Sequence, residues 1–154
     1  MRLTRFTDYT LRTLAYLARS PDSLVTINEI AHAYGISANH LMKVVQHLAA
    51  EGLIVTLRGQ RGGLRLSRPA DTIRLGDVVR GAEPDLEWLG CVDPAAAGET
   101  DANFAIAPII AQARDAFLAQ FDRHTVADLL GRSSEALPML DARCPDPVPL
   151  IGQL

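Results

Sequence analysis

Ser37-Ala-Asn-His-Leu-Met-Lys-Val-Val-Gln-His-Leu48 is followed, past Glu51-Gly52, by Ile54-Val-Thr-Leu-Arg-Gly-Gln-Arg-Gly-Gly-Leu-Arg-Leu66. In the first segment Leu41, Val44, Val45 and Leu48 fall at i, i+3, i+4 and i+7, which is one buried face of a helix. In the second, Ile54, Thr56, Leu64 and Leu66 alternate as strands do, around a Gly-rich, Arg-bearing tip, Arg58–Gly63. A helix running into a basic hairpin is the order in which a winged helix-turn-helix meets duplex DNA. The helix enters the major groove, and the hairpin reaches a neighbouring phosphate or minor groove. The stretch therefore predicts a mainly α fold with a small β-hairpin wing.

Upstream, Thr26 is placed to cap a helix over Ile27–Tyr34, with Glu29 at the third helical position as in a capping box. Gly35 ends that helix and Ser37 starts the next, a short Gly-containing turn of the kind that makes two helices cross steeply. Before them, Thr7–Ser20 reads as a helix capped by Thr7 or Asp8 and stopped by Pro21-Asp22. Downstream, Thr72–Arg80 reads as a short helix closing the winged part, Gly81–Asn103 as loop, and Ala105–Leu130 as a long helix of roughly 35 Å. Its apolar stripe is wide, and Ile106, Ile110, Ala113, Phe117 and Phe121 are expected to form a dimer interface, placing two reading heads on a two-fold axis. From Ser133 on, Pro138, Pro145, Pro147 and Pro149 suggest an extended or disordered tail. The expected organisation is thus a winged helix-turn-helix over 1–82, a sensor loop over 83–104, a dimerisation helix over 105–132 and a tail over 133–154.

The residues expected at DNA are those left off the buried face and those at the wing. Ser37, Ala38, Asn39, His40 and Lys43 lie at the helix start, where free backbone N–H groups and the helix dipole favour phosphate. Asn39 suits an adenine edge, and His40 or Lys43 a base or phosphate. Arg58, Gln60, Arg61, Gly62 and Arg65 supply the wing with charge, hydrogen bonding and close backbone approach.

Charge distribution agrees. The chain of 154 residues has a net charge of −3, but residues 1–80 carry a net +5 and residues 81–154 a net −8. Ten of the eleven cations in the first part are Arg. A basic part joined to an acidic one suits a polyanion-binding module linked to one that avoids DNA. No run nears the about eighteen apolar residues of a membrane helix, the first residues lack a signal-peptide core, and two cysteines make no disulfide framework, so a cytoplasmic address is expected. No nucleophile–base motif, His-x-x-x-His pair or dinucleotide glycine pattern occurs, so an enzyme is not expected. The competing reading from another class is an adaptor that uses the winged part to bind protein. Such a protein has no use for an Arg wing, and its binding would survive loss of Arg58 and Arg61.

Four segments together carry a resemblance. Met1-Arg-Leu-Thr-Arg-Phe-Thr-Asp-Tyr9, Tyr34-Gly-Ile-Ser-Ala-Asn-His-Leu-Met-Lys-Val-Val45, the wing Arg58–Leu66 and Ile73-Arg-Leu-Gly-Asp-Val-Val79 resemble the Rrf-two family of bacterial regulators. Phe121-Asp-Arg-His-Thr-Val-Ala-Asp-Leu-Leu130 resembles the end of that family's dimerisation helix, so the likeness covers about residues 1–130. It implies a homodimeric winged-helix repressor of the IscR and NsrR kind, nearest the nitrite-sensitive, nitric-oxide-sensing branch, reading a palindrome in double-stranded DNA. It also implies an iron–sulfur cluster held by three loop cysteines and, across the dimer, an Asp near the N-terminus. Cys91 stands at the first cysteine position and Asp8 at the Asp position, but the loop through Phe104 holds no second or third cysteine. A cluster takes four ligands, chiefly thiolates. Three readings stay open: a lost cluster in a constitutive or differently triggered DNA binder; a redox thiol at Cys91, alone or with its dimer mate or Cys144; or an unusual cluster on Cys91 and Asp8 with His32, His40 or another non-thiolate ligand.

Overall fold

The computed structural model describes residues 3–59, 62–83, 86 and 102–131, with side chains in the last stretch described from Pro108 onward. Helix α1 spans Arg5–Ala18 and starts at Thr4, whose hydroxyl accepts from the Thr7 amide at 3.2 Å. The sequence suggested Thr7 or Asp8 as the cap. The helix begins earlier than that, and both residues lie inside its first turn: the Thr7 hydroxyl donates to Glu83 at 2.5 Å, and Asp8 is gripped by Arg12. The helix also ends before Ser20, as the Arg19 and Ser20 amides tighten onto the Tyr16 and Leu17 carbonyls.

Helix α2 spans Ile27–Tyr34 and opens on the predicted capping box. The Glu29 amide donates to the Thr26 hydroxyl at 3.2 Å, and the Thr26 amide donates to the Glu29 carboxylate at 2.6 Å. The backbone bond from Thr26, followed by its hydroxyl, holds the Glu29 carboxyl below its ordinary range. A depressed carboxyl contributes stability above its unfolded pKa and loses it as pH falls through the folded one, so the box is intact at neutral pH and fails only in acid. Replacing Thr26 by Ala should cost about 1 kcal/mol. An unchanged denaturation midpoint would show that the box does not hold α2.

Gly35, at φ 62°, ends α2 in the left-handed conformation that glycine adopts without strain. Helix α3 follows over Ala38–Ala50. It runs two residues past Leu48 because Ala49 and Ala50 are strong helix formers. Leu14 and Leu17 of α1, Ile30 of α2, and Leu41, Val44 and Leu48 of α3 are at most 1% exposed and make the centre of the core.

Strands β1 (Ile54–Leu57) and β2 (Gly63–Leu66) pair antiparallel, with Ile54 opposite Leu66 and Leu57 opposite Gly63. Val25 adds a third rung: it exchanges amide–carbonyl bonds with Leu64 at 3.0 and 2.8 Å. The wing is thereby fastened to the entry of α2.

The segment expected as one helix over 72–80 is a 3-10 turn, Ala70–Thr72, and then helix α4, Leu75–Ala82. Helix α5 spans Ala102–Asp122, with Pro108 removing one intrahelical bond in its second turn, and a separate 3-10 turn covers Val126–Leu130. The continuous helix expected over 105–130 is therefore broken after Asp122. One feature causes both departures. Arg74 and Thr125 form an antiparallel bridge, in which the Leu75 amide donates to the His124 carbonyl and the Val126 amide to the Ile73 carbonyl, both at 2.9 Å. Extended backbone at these two points cannot also be helical. Thr125 and Asp128 then make a second capping box, and Val126 enters the core fully buried. Leu129, inside the helix expected over 105–130, thus lies in the turn. The proposed tail, 133–154, lies outside the described residues, as does most of the proposed sensor loop. No described helix is long and apolar enough to cross a membrane.

Candidate nucleic-acid interface

Helix α3 is buried along Leu41, Val44, Val45 and Leu48, which leaves its opposite side to solvent. Ser37, Asn39, His40, Lys43 and Gln46 are exposed, and Ala38 is half-buried. Ser37 is the N-cap, but its hydroxyl makes no capping bond, and no acid occupies the first turn. The helix start therefore offers amides to an anion with nothing in its own first turn to repel it. The His40 ring lies against Tyr9 of α1, centroids 6.1 Å apart, while His47 meets the edge of Phe6 at 5.3 Å. His40 is thus both exposed and braced, whereas His47 is a packing residue.

Met42 was not picked out from the sequence. It is 47% exposed, three residues beyond Asn39 and four before Gln46, on an otherwise polar face. An apolar side chain there has no core to fill. The signal was available: Met42 falls outside the i, i+3, i+4, i+7 set that defines the buried face.

At the wing, Arg58 leaves β1 exposed, and Arg65 is exposed on β2 opposite Val55. Gly62 closes the turn: its amide donates to the Gly59 carbonyl at 2.9 Å, and a Cβ there would run into the Leu57 carbonyl. Its visible role is to let the strand return. Gln60 and Arg61 lie outside the described residues.

Of the two sensor candidates, Asp8 lies among the described residues. Both Asp8 oxygens lie 2.9 Å from Nε of Arg12, whose guanidinium also stands 5.6 Å over the Tyr34 ring. Tyr34 in turn meets Tyr16 edge-on at 5.9 Å, so Asp8 is tied into a contact between α1 and the end of α2. Cys91 lies outside the described residues. Glu83, which no local pattern singles out, accepts from the Thr4 amide at 2.8 Å, the Thr4 hydroxyl at 3.2 Å and the Thr7 hydroxyl. It pins the end of α4 to the start of α1.

Of the expected interface residues, Ala113 is exposed and Ile110 half-buried, while the Ile106 side chain lies outside the described set. Ile109 is 64% exposed. Phe117 meets Phe121 edge-to-face at 5.0 Å, and Phe121 packs on the core of its own chain. Leu118, absent from the expected stripe, is the most deeply buried of the described α5 side chains. The wide stripe thus divides: Leu118 and Phe121 dock α5 onto its own head, and Ile109 and Ala113 face outward.

Residues 3–132 match the family described as Rrf2, iron-dependent transcriptional regulator. The chain belongs to the Rrf2 family. Solved structures agree with the fold. CymR (YrzC), the global cysteine regulator of B. subtilis, superposes with a TM-score of 0.70 at 24% identity, covering 86% of this chain and 98% of that one. The oxidized form of Staphylococcus aureus CymR gives 0.69 at 25% identity, with coverages of 86% and 98%. IscR of T. potens gives 0.68 at 21% identity, with coverages of 84% and 86%. Rrf2 proteins are DNA-binding transcription regulators, and this chain is a transcription regulator of that family.

An Rrf2 protein raises the matter of an iron–sulfur cluster, which takes four ligands, chiefly thiolates. The whole chain has two cysteines, Cys91 and Cys144, and Asp8 is already engaged by Arg12. Among the described residues no three His, Cys, Asp or Glu side chains are grouped closely enough to hold a metal ion.

Proposed function

We propose that this Rrf2 protein is a homodimeric repressor that reads a palindromic operator with α3 and the wing, and that it does so without an iron–sulfur cluster. One observation carries the reading: α3 buries one side completely and leaves Asn39, Met42, Lys43 and Gln46 exposed on the other, at the start of a basic winged head. Asn39 pairs with an adenine edge, and Met42 supplies apolar contact to a thymine methyl group. Ser37 and the first amides of α3 take a phosphate, and Lys43 another. Arg58, Arg61 and Arg65, with Gln60 and Gly62 at the tip, follow the neighbouring backbone or minor groove. Ile109, Ile110 and Ala113 cover one another across the two-fold axis, joined by Ile106. Cys91 is left without cluster partners, so any trigger acts on it as a thiol or acts elsewhere.

The test is selection from a random duplex library. Wild-type protein should enrich an inverted repeat, and its affinity should fall steeply with salt, as several phosphate contacts require. A flat salt response would overturn the DNA reading, and a protein partner whose binding survives Arg58→Ala and Arg61→Ala would favour an adaptor. Asn39→Ala should cost about 1–3 kcal/mol on the selected site and relax preference at one base pair. Equal losses on all sequences would make Asn39 a backbone contact.

A further inference from the structure

We infer that Asp122 is a positioning residue that sets the angle between the DNA-reading head and helix α5, and with it the half-site spacing a dimer accepts. The inference rests on the dimeric DNA-binding reading above. Arg80 of α4 grips both carboxylate oxygens of Asp122, Nη1 to Oδ1 at 2.8 Å and Nη2 to Oδ2 at 2.6 Å. A bidentate fork constrains orientation as well as distance, which a single ammonium does not. Arg74 reaches across to donate to the Asp122 main-chain carbonyl at 2.8 Å. It satisfies a group that a helix end leaves open and sets positive charge at the negative end of the dipole. Asp77 lies 3.5 Å from Arg80 and steadies the same guanidinium. Gly76, buried in the first turn of α4, faces this fork, and a Cβ there would collide with the Asp122 carboxylate. The Asp122 carboxylate thus lies directly against the α4 backbone at Gly76.

Magnitudes separate docking from aiming. Buried Leu118, Phe121 on the core and fully buried Val126 hold α5 to the head by apolar burial. The Arg80–Asp122 pair is 41% and 38% exposed, and solvent-screened pairs of this kind contribute little to stability. Its measurable consequence is angular. Helix α5 has 21 residues, about 30 Å, so a small rotation at Asp122 becomes a large displacement between the two heads. Half-site separation follows from that geometry. Arg80 also keeps the Asp122 carboxyl below its ordinary range, so the fork stays ionised at neutral pH.

The experiment uses full-length protein and the inverted repeat that the wild type selects, with versions lengthened or shortened by one base pair at the centre, and an isolated half-site. Asp122→Asn removes the fork's acceptor, and the milder Arg80→Lys keeps the charge but not the fork. Both should hold half-site affinity within about twofold. Preference for the selected spacing should fall roughly tenfold in each, because effective concentration at the second half-site drops. Unchanged spacing preference in a folded variant, or half-site affinity falling as far as full-site affinity, would overturn the inference. Failure of the wild type to select any repeat would instead overturn the dimeric DNA-binding reading beneath it.

Discussion

Ile109→Asp is expected to convert the proposed dimer to monomers and to lower affinity for the full operator by roughly 10²–10⁴, the range by which linking two sites exceeds one. Ile109 is 64% exposed on α5, and Ala113, one turn on, is exposed beside it. Burying them against a second copy removes apolar surface from water, whereas an Asp buried at a two-fold axis meets its own charge. The position is cleaner than Phe117, which stacks on Phe121 and through it on the core of its own chain. Phe117→Asp should also give weak operator binding, but part of the loss would come from the head. Sedimentation of Ile109→Asp decides the matter, because a variant that remains dimeric moves the interface elsewhere.

Leu41→Ala should destabilise the protein by about 2–5 kcal/mol, through lost burial and the cavity left behind. Leu41 is fully buried one turn after Ser37, directly beneath the start of α3. Total stabilities of roughly 5–15 kcal/mol make that a large fraction of what holds the head together. DNA affinity should fall with it at temperatures near the midpoint, and recover on cooling. A midpoint within experimental error of wild type would mean that Leu41 is not part of the core that presents Asn39 and Lys43.

The reading head was legible because its determinants are local. Thr26 with Glu29, Gly35, and the spacing of Leu41, Val44, Val45 and Leu48 each act within a few residues, and all appear as expected. What was not legible depends on distant partners. The break after Asp122 follows from the bridge between Arg74 and Thr125, fifty-one positions apart, which no periodicity of the Ile106–Leu129 stripe discloses. The start of α1 lies at Thr4, whose amide and hydroxyl both donate to Glu83, 79 positions away. The stripe of α5 looked uniform because apolar residues that dock a helix on its own chain and those that face a second copy share one composition. Leu118 and Ile109 are told apart only by burial. Met42 is hard to place for a related reason: it is apolar yet outside the core-facing set.

The most direct test of a DNA-binding regulator that needs no cluster is an iron and sulfide assay with an absorbance spectrum on anaerobically purified protein, followed by operator binding on the same sample. The predicted result is colourless, iron-free protein that binds its selected repeat with an affinity falling steeply as salt rises. Protein that carries near-stoichiometric iron and sulfide, and loses operator binding when they are removed, would contradict it.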